Sequence, residues 1–350
     1  MQHFEMREYF GDYEDVAEFW QRTWAREYAG RIWMVWADKN TFHWLVGPGT
    51  DSLGPVAYYE GNLVAAVFSV PYSLRVGTTV HRSGVAFGLT VDPRHRRLAV
   101  PIVERLRRDN AERGIDFVLA TVLRDPTSSS HRFWTKYAEA FPKNLTFLFP
   151  VNYWIKSLAP QVVARAGIER WERMTARLLG PLLSLTPHGN DPHVRPYRAT
   201  DLESCVQLLE TTSAGCDWAL LWTPEQLSRR LAGGLGETLL FERDGRVCGM
   251  VNFHYMPMQA RQRVLTAALT LWADDRLSGS ERTRFLSHLC YYLRGRGVHI
   301  VSAPRCAMMP ASAFVANLFL PVPGPWDLGA LWTRPAVPLP PPKSWSLLIV

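Results

Sequence analysis

The chain contains one pattern twice. Tyr58 to Tyr72 (YYEGNLVAAVFSVPY) and Phe241 to Tyr255 (FERDGRVCGMVNFHY) each read as a strand, a tight turn ending in glycine, and a second strand. A hairpin that recurs in the second half implies a duplicated structural unit. The segments ahead of the hairpins agree: Met6 to Trp20 (MREYFGDYEDVAEFW) and Val194 to Leu209 (VRPYRATDLESCVQLL) both pass from an arginine-led strand into an acidic helix start. Asp12 and Asp15, and in the second copy Thr200 and Asp201, put oxygen acceptors where a helix N-terminus has unpaired N–H groups. The spacing predicts two related α/β units, residues 1–158 and 194–350, joined by a helix and linker over 159–193. That joining stretch, Ala159 to His193, starts as an amphipathic helix with Val162, Ala166, Ile168, Trp171, Met174 and Leu178 on one face and ends in a Pro/Gly/Asn turn cluster. Its apolar face fits either a helix packed on one unit or a surface that meets a lipid or an acyl carrier.

At 350 residues and 47% hydrophobic content the chain can bury the cores of two domains. The net charge of +7 favours an acidic partner: a nucleotide cofactor, an acidic carrier protein, nucleic acid or an anionic membrane surface. No nucleic-acid reader motif is present, so no nucleic-acid partner is expected. Five lysines stand against 34 arginines, the skew of a GC-rich, bacterial genome. The five cysteines, all in the second half and without a C-x-x-C, predict neither a zinc site nor a disulfide framework, and fit a reducing cytoplasm. Met1 to Trp20 is charged throughout and no stretch is apolar enough to cross a bilayer, so neither a signal peptide nor a transmembrane segment is expected.

The chemistry concentrates in Gly88 to Arg108 (GLTVDPRHRRLAVPIVERLRR). Val85 to Val91 reads as a central strand ended by Asp92-Pro93; Leu98, Ile102, Val103 and Leu106 then form one helix face, and Gly114 closes the helix. Arg94, His95, Arg96 and Arg97 lie in the turn between. A helix N-terminus presents unpaired N–H groups and a positive dipole end, so arginines just ahead of it suit a pyrophosphate, unless this is a solvated basic turn without a ligand. There is no G-x-G-x-x-G and no Walker lysine. In the second copy, Val264 to Trp272 runs into Asp274 and Asp275, which would repel a phosphate. One donor site per chain is expected.

Arg94-x-x-Arg97-x-Ala99 after V-x-P resembles the acyl-CoA signature of the GNAT acyltransferase superfamily, with Arg97 where the first glycine usually stands. An arginine there is similar to the K-R-[LV]-A-P turn of the N-myristoyltransferase branch. The likeness extends through FHWLV (Phe42 to Val46), Asn62 to Val76, FGLTV (Phe87 to Val91), RFW (Arg132 to Trp134) and the second unit's VRPYRATD and ERDGRVCGMVNF, in the family's order. It implies an α+β sandwich fold of two tandem GNAT-like domains related by a pseudo-twofold, each a mixed, mostly antiparallel sheet flanked by helices. It implies that the backbone N–H groups of Gly88 and Leu89 form an oxyanion hole and that Leu89, Thr90, Val91 and Arg94 through Ala99, including Leu98, bind the coenzyme. Phe87 and Thr121 match acceptor-facing positions, Phe87 standing in place of the family's asparagine. The tail, Arg334 to Val350 (RPAVPLPPPKSWSLLIV), matches a buried C-terminus whose carboxylate, on Val350, acts as general base. His131, Glu60 and Asp92 read instead as surface or structural groups.

The resemblance implies an N-acyltransferase that takes an acyl group, long-chain by the family's example, from acyl-CoA or from the phosphopantetheine of an acidic acyl carrier protein. The acceptor would be an amine of a peptide or small molecule, as in bacterial lipopeptide or natural-product biosynthesis. Arg26 to Asn40 has far fewer carboxylates than the family's loop and Thr135 replaces its peptide-facing histidine, so specificity for an N-terminal glycine is not expected. Trp20, Trp24, Trp33, Trp36 and Trp44 fit either an acyl tunnel or an ordinary core. A short-chain acetyltransferase of a small amine and a non-catalytic acyl or CoA binder are the alternatives.

Overall fold

A computed structural model describes residues 4–46, 51–186, 189–337 and 339–347. In chain order the first elements are β1 (Glu5–Glu8), α1 (Glu14–Tyr28), β2 (Met34–Val35), α2 (Lys39–Val46), β3 (Pro55–Tyr59), β4 (Asn62–Val76) and β5 (Thr79–Val91). A 3-10 turn over Pro93–Leu98 leads into α3 (Ala99–Glu112), β6 (Phe117–Leu123), α4 (Ser129–Ala140) and β7 (Leu145–Ser157). Then come α5 (Pro160–Ala166), α6 (Arg170–Leu178), α7 (Gly180–Leu183), β8 (Val194–Pro196), α8 (Leu202–Ser213), β9 (Trp218–Leu221) and α9 (Pro224–Ala232). The chain continues through β10 (Gly236–Arg243), β11 (Arg246–Gln259), β12 (Arg263–Asp274), α10 (Gly279–Gly295), β13 (Ile300–Pro304), α11 (Ala311–Ala316), β14 (Leu320–Trp332) and β15 (Trp345–Ser346).

The chain divides into two compact units, 1–27 with 37–151 and 324–341, and 28–36 with 152–323 and 342–350. Contiguous boundaries at 158 and 194 do not describe them, because the first unit takes its last strand, β14, from a distant stretch of chain and the second includes the separate stretches 28–36 and 342–350. The first unit's sheet runs β1, β3, β4, β5, β6, β14 and the second's β8, β10, β11, β12, β13, β7. Along each of these orders, every pairing is antiparallel except one: β5 with β6, and β12 with β13. The same order with the same single parallel pair is the structural form of the sequence repeat.

The hairpins explain themselves locally. Glu60 and Gly61 have φ of 50° and 75°, and Asp244 and Gly245 of 53° and 74°. Two successive positive φ values make the turn whose twist matches the flanking strands, and glycine at the second position adopts it without steric cost. The predicted face of α3 is buried, Leu98, Ile102 and Leu106 joining Val64, Ala65 and Val67 of β4 while Val103 packs with Val118 and Trp134. In the second unit, Val251 and Leu269 pack with Phe285 and Leu289 of α10, while Met250 and Leu271 pack with Leu208 of α8 and Leu227 of α9. Helices on both faces explain why these strands are apolar nearly throughout.

The stretch expected as one amphipathic helix ahead of a linker is three short helices inside the second unit. Gly167 (φ −52°, ψ 134°) ends the first, and Gly180 meets Pro160 so closely that a Cβ would come within 2.3 Å of its Cβ. Ala166 is buried but Trp171, Met174 and Leu178 are exposed, so the expected single face does not pack as one. All five cysteines are free. Among the described residues no helix is long and apolar enough to cross a membrane.

Candidate active site

The first unit's sheet opens in its middle. β5 pairs with β6 only over Ser83 to Val85, opposite Phe117 to Leu119. Beyond that point β5 stays on β4 as far as Val91, and β6 stays on β14 as far as Leu123. Two neighbours that each follow their outer partner must part, and the exposure pattern records it. Ser83, Gly84 and Val85 are buried, whereas Ala86, Phe87, Gly88 and Leu89 are half-buried; on β6, Thr121 is half-buried between buried Ala120 and Val122. The cleft thus brings the predicted Phe87, Gly88 and Leu89 onto one wall and Thr121 onto the other.

A bulge lies at the mouth of this cleft. Phe87 faces Phe68 and Thr90 faces Ala66, so Gly88 and Leu89 together stand opposite Val67 alone. Gly88 has φ +71°, which a side chain resists, and a Cβ there would meet Phe42 Cε1 at 3.2 Å and Trp20 Cζ3 at 3.4 Å. Those rings belong to an aromatic layer. Trp20 and Trp24, one turn apart on α1, stack with centroids 4.1 Å apart, and Phe42 of α2 lies 5.7 Å from Trp20 and 5.9 Å from Phe68. Trp24 Nε1 donates to Thr90 Oγ1 at 2.9 Å, fixing the layer against the strand just past the bulge. Trp33 and Trp36 belong to the second unit, where Trp33 donates to Glu172 at 3.0 Å and Trp36 lies 4.0 Å under the Arg263 guanidinium.

The basic turn follows directly. Asp92 caps it, accepting from the backbone N–H of Arg94 at 2.8 Å, and Pro93 opens the 3-10 turn. The Arg94 guanidinium folds back on the same carboxylate, Nη2 to Oδ2 at 2.8 Å and Nε to Oδ1 at 3.1 Å, and holds its pKa down to about 2. Arg94 is thus already engaged, which reduces what it offers a phosphate. His95 packs against the rings of Tyr59 (5.1 Å) and Phe4 (5.5 Å), which also touch each other. Arg97 lies over the Phe4 ring at 5.2 Å. Arg96 and Arg97 are exposed, Leu98 is buried, and α3 begins at Ala99 with no side chain capping its N-terminus. The Ala99 N–H already donates to the Arg96 carbonyl and Pro101 has none to give, so what this turn offers an anion is chiefly its two exposed guanidinium groups.

The second unit carries the same wedge, plugged. β12 and β13 pair over Thr266 to Ala268 only, but Leu269 to Ala273 are all buried. Met308 and Met309, just after β13, pack into the clusters that cover Leu271 and Leu269. The bulge there is the buried Thr270, whose hydroxyl donates to Asn252 Oδ1 at 2.6 Å; Asn252 Nδ2 in turn reaches Thr238 Oγ1 at 2.9 Å. In place of the arginines, Asp274 is held by Arg282 and by Trp272 Nε1 (2.8 Å), and Asp275 by Arg246 at 3.0 Å. A concavity of about 420 Å³ at the N-terminus of α10, lined by Gly279, Thr283 and Arg284 among others, contains none of the predicted residues.

Val350, expected as the base, lies outside the described residues. The tail leading to it is buried at Trp345, Ser346 and Leu347, and β15 pairs in parallel with β9. Asp217, which the sequence reading missed, fastens the entry by accepting from the backbone N–H groups of Lys343 (2.7 Å) and Ser344 (3.1 Å). Nothing in one sequence marks Asp217, since its partners lie 126 and 127 positions away. His131 contacts the Leu123 carbonyl at 3.1 Å at the start of α4, and Glu60 forms the β3–β4 turn. Among the described residues no group of His, Cys, Asp and Glu is placed to hold a metal.

No family model and no curated protein matches the sequence. Solved structures do match the fold. N-myristoyltransferase of Saccharomyces cerevisiae with bound myristoyl-CoA superposes with a TM-score of 0.75 at 14% identity, over 99% of this chain and 80% of that one. Another structure of that complex gives 0.75 at 15% identity, over 96% and 84%. A conserved protein of unknown function from Enterococcus faecalis V583, designated a probable N-acyltransferase, gives 0.52 at 10% identity, over 95% and 73%. The chain has the fold of N-myristoyltransferase, two related α/β units in tandem, as its repeat and its basic turn led us to expect.

Proposed function

We propose that the chain is an N-acyltransferase that moves an acyl group, long-chain in our reading, from a coenzyme A or carrier-bound thioester to an amine of a peptide or small molecule. The observation that carries this is the open wedge at Gly88 and Leu89 directly upstream of an arginine-bearing turn, in a chain whose second copy of both features is plugged and acidic. Attack of an amine on a thioester builds negative charge on the carbonyl oxygen, and a bulged strand that has left its neighbour can point fixed N–H groups at that oxygen. One such donor contributes about 3–4 kcal/mol to the transition state. Arg96 and Arg97 would hold the phosphates of the donor, and Phe87 and Thr121 flank the approach of the amine. The aromatic layer of Trp20, Trp24 and Phe42 keeps the bulge apolar, which strengthens the oxyanion contact. The likeness of fold to a protein solved with myristoyl-CoA supports the donor class.

Calorimetry with CoA thioesters from acetyl to stearoyl tests the proposal without knowledge of the acceptor. Affinity should rise with chain length to a long-chain optimum and fall at least about tenfold when Arg96 and Arg97 are both alanine. A preference for acetyl-CoA would replace the long-chain reading with the short-chain one. Failure to bind any thioester, on CoA or on an acyl carrier protein, would overturn the proposal.

A further inference from the structure

We propose that the α6–α7 face of the second unit is a docking surface for an anionic lipid bilayer. Three observations lead there, none of which rests on the acyl-transfer reading.

The first is an inverted amphipathic helix. On α6 the side turned inward is marked by buried Ala176, while Trp171, Met174 and Leu178, on the opposite side, are 53%, 47% and 72% exposed. A surface helix normally turns its apolar stripe to the core. Leu179, Leu182 and Leu185 continue the exposed apolar series, so large apolar side chains recur at three- and four-residue spacing from Trp171 to Leu185.

The second is that this exposure is built in. The buried Lys156 amine donates to the carbonyls of Leu183 (2.7 Å) and Leu185 (2.8 Å), pinning the end of α7, and also to Asn317 O at 2.7 Å. Glu172 accepts from the N–H groups of Ile168 and Glu169 and from Trp33 Nε1, fixing the start of α6. Gly180 sits directly on Pro160, and Arg294 of α10 donates to the Ser184 carbonyl. The polar groups beneath the segment hold it in place while the apolar ones face out.

The third is charge. Arg165, Arg170, Arg177 and Arg294 are exposed around the stripe, whereas Glu172 is committed to the helix start; among the described residues of 159–186 the one exposed carboxylate is Glu169. Leucines, a methionine and a tryptophan flanked by arginines on a convex helix form the composition that inserts shallowly at a lipid interface. A fluid hydrocarbon layer conforms to a convex stripe, whereas a folded partner must supply a matching groove. This favours the bilayer over an acidic carrier protein.

Flotation of the full chain with vesicles tests it. The protein should float with vesicles of mixed phosphatidylcholine and phosphatidylglycerol and at least about tenfold less with phosphatidylcholine alone, since each interfacial arginine is worth about fivefold on an anionic surface. Added salt should weaken the binding. The double variant Trp171→Ser, Leu178→Ser keeps the charge and should lose at least about tenfold of the flotation while its melting temperature stays that of the wild type. Arg170→Glu with Arg177→Glu should abolish the preference for anionic vesicles. Absence of flotation, or flotation unaffected by the serine pair, would overturn the proposal. So would a stoichiometric complex with an acidic acyl carrier protein, or self-association of the chain, that the serine pair abolishes without any vesicle binding.

Discussion

At the scale of single residues, Gly88 and Gly61 form a matched pair. Both have positive φ, +71° and +75°, but a Cβ on Gly88 meets the Phe42 and Trp20 rings while one on Gly61 meets nothing within 4 Å. Gly61→Ala should therefore cost only the backbone penalty of about 1–2 kcal/mol. Gly88→Ala should cost about 1–3 kcal/mol more, from ring displacement in a packed layer. Denaturant titration of the two variants checks this, and equal losses would mean that the aromatic layer yields freely. Arg94 separates from its neighbours in the same way. Its hydrogen bonds hold the Asp92 pKa down to about 2, below the unfolded value of about 3.9, so this stabilisation is complete above that value and is lost as pH falls toward 2. Arg94→Ala should raise the pH of acid unfolding but change acyl-CoA affinity less than about threefold, against at least about tenfold for the Arg96, Arg97 pair. Acid titration followed by circular dichroism, with calorimetry on the same proteins, distinguishes the two roles.

At the scale of elements, the features that repeat in sequence repeat in structure, and the features that differ carry the function. The two hairpins share turn geometry and the position of a bulge just after the turn, at Val64 and Cys248. The two central strands share a parting from their parallel neighbour but differ in what fills it, Met308 and Met309 plugging the second. The α6–α7 segment shows how strongly one buried group can define an element. Lys156 donates to three carbonyls, two of them at the end of α7, and Lys156→Met removes all three bonds at once. The expected loss is about 3 kcal/mol or more, together with new protease cleavage between 178 and 186. Urea titration and limited proteolysis would show it; cleavage without loss of stability would make the pin a purely local one.

For the whole molecule, pH dependence follows from histidines buried as neutral rings. His254 is fully buried in the second unit, and burial holds its pKa well below the usual value of 6.5; burial lowers His288 and His299 as well. The unfolded chain therefore takes up protons that the folded chain refuses, so stability is lost as pH falls below about 6.5, by up to about 1.4 kcal/mol per pH unit for each such ring. Unfolding free energies measured between pH 7 and 5 should fall accordingly, and His254→Gln should flatten the slope; an unchanged slope would place the sensitivity in the other rings. Much of this molecule was legible in its residues. Turn chemistry and strand periodicity are local, so the Glu-Gly and Asp-Gly hairpins, the buried face of α3 and the strand that ends at Asp92-Pro93 could be read from neighbours within a few positions. The loss of the arginines in the second copy was legible for the same reason. What the residues alone could not decide depends on contacts between distant stretches of chain. The first unit's sheet completes itself with β14 from the far half of the sequence, and Asp217 meets a tail 126 positions away. The stripe from Trp171 to Leu178 reads equally as a core face or as a surface for a lipid or a carrier, and Ala176 takes the inward side. Periodicity shows that a helix has an apolar side; only tertiary packing, with Lys156 and Glu172 fastened beneath, decides which side faces the core.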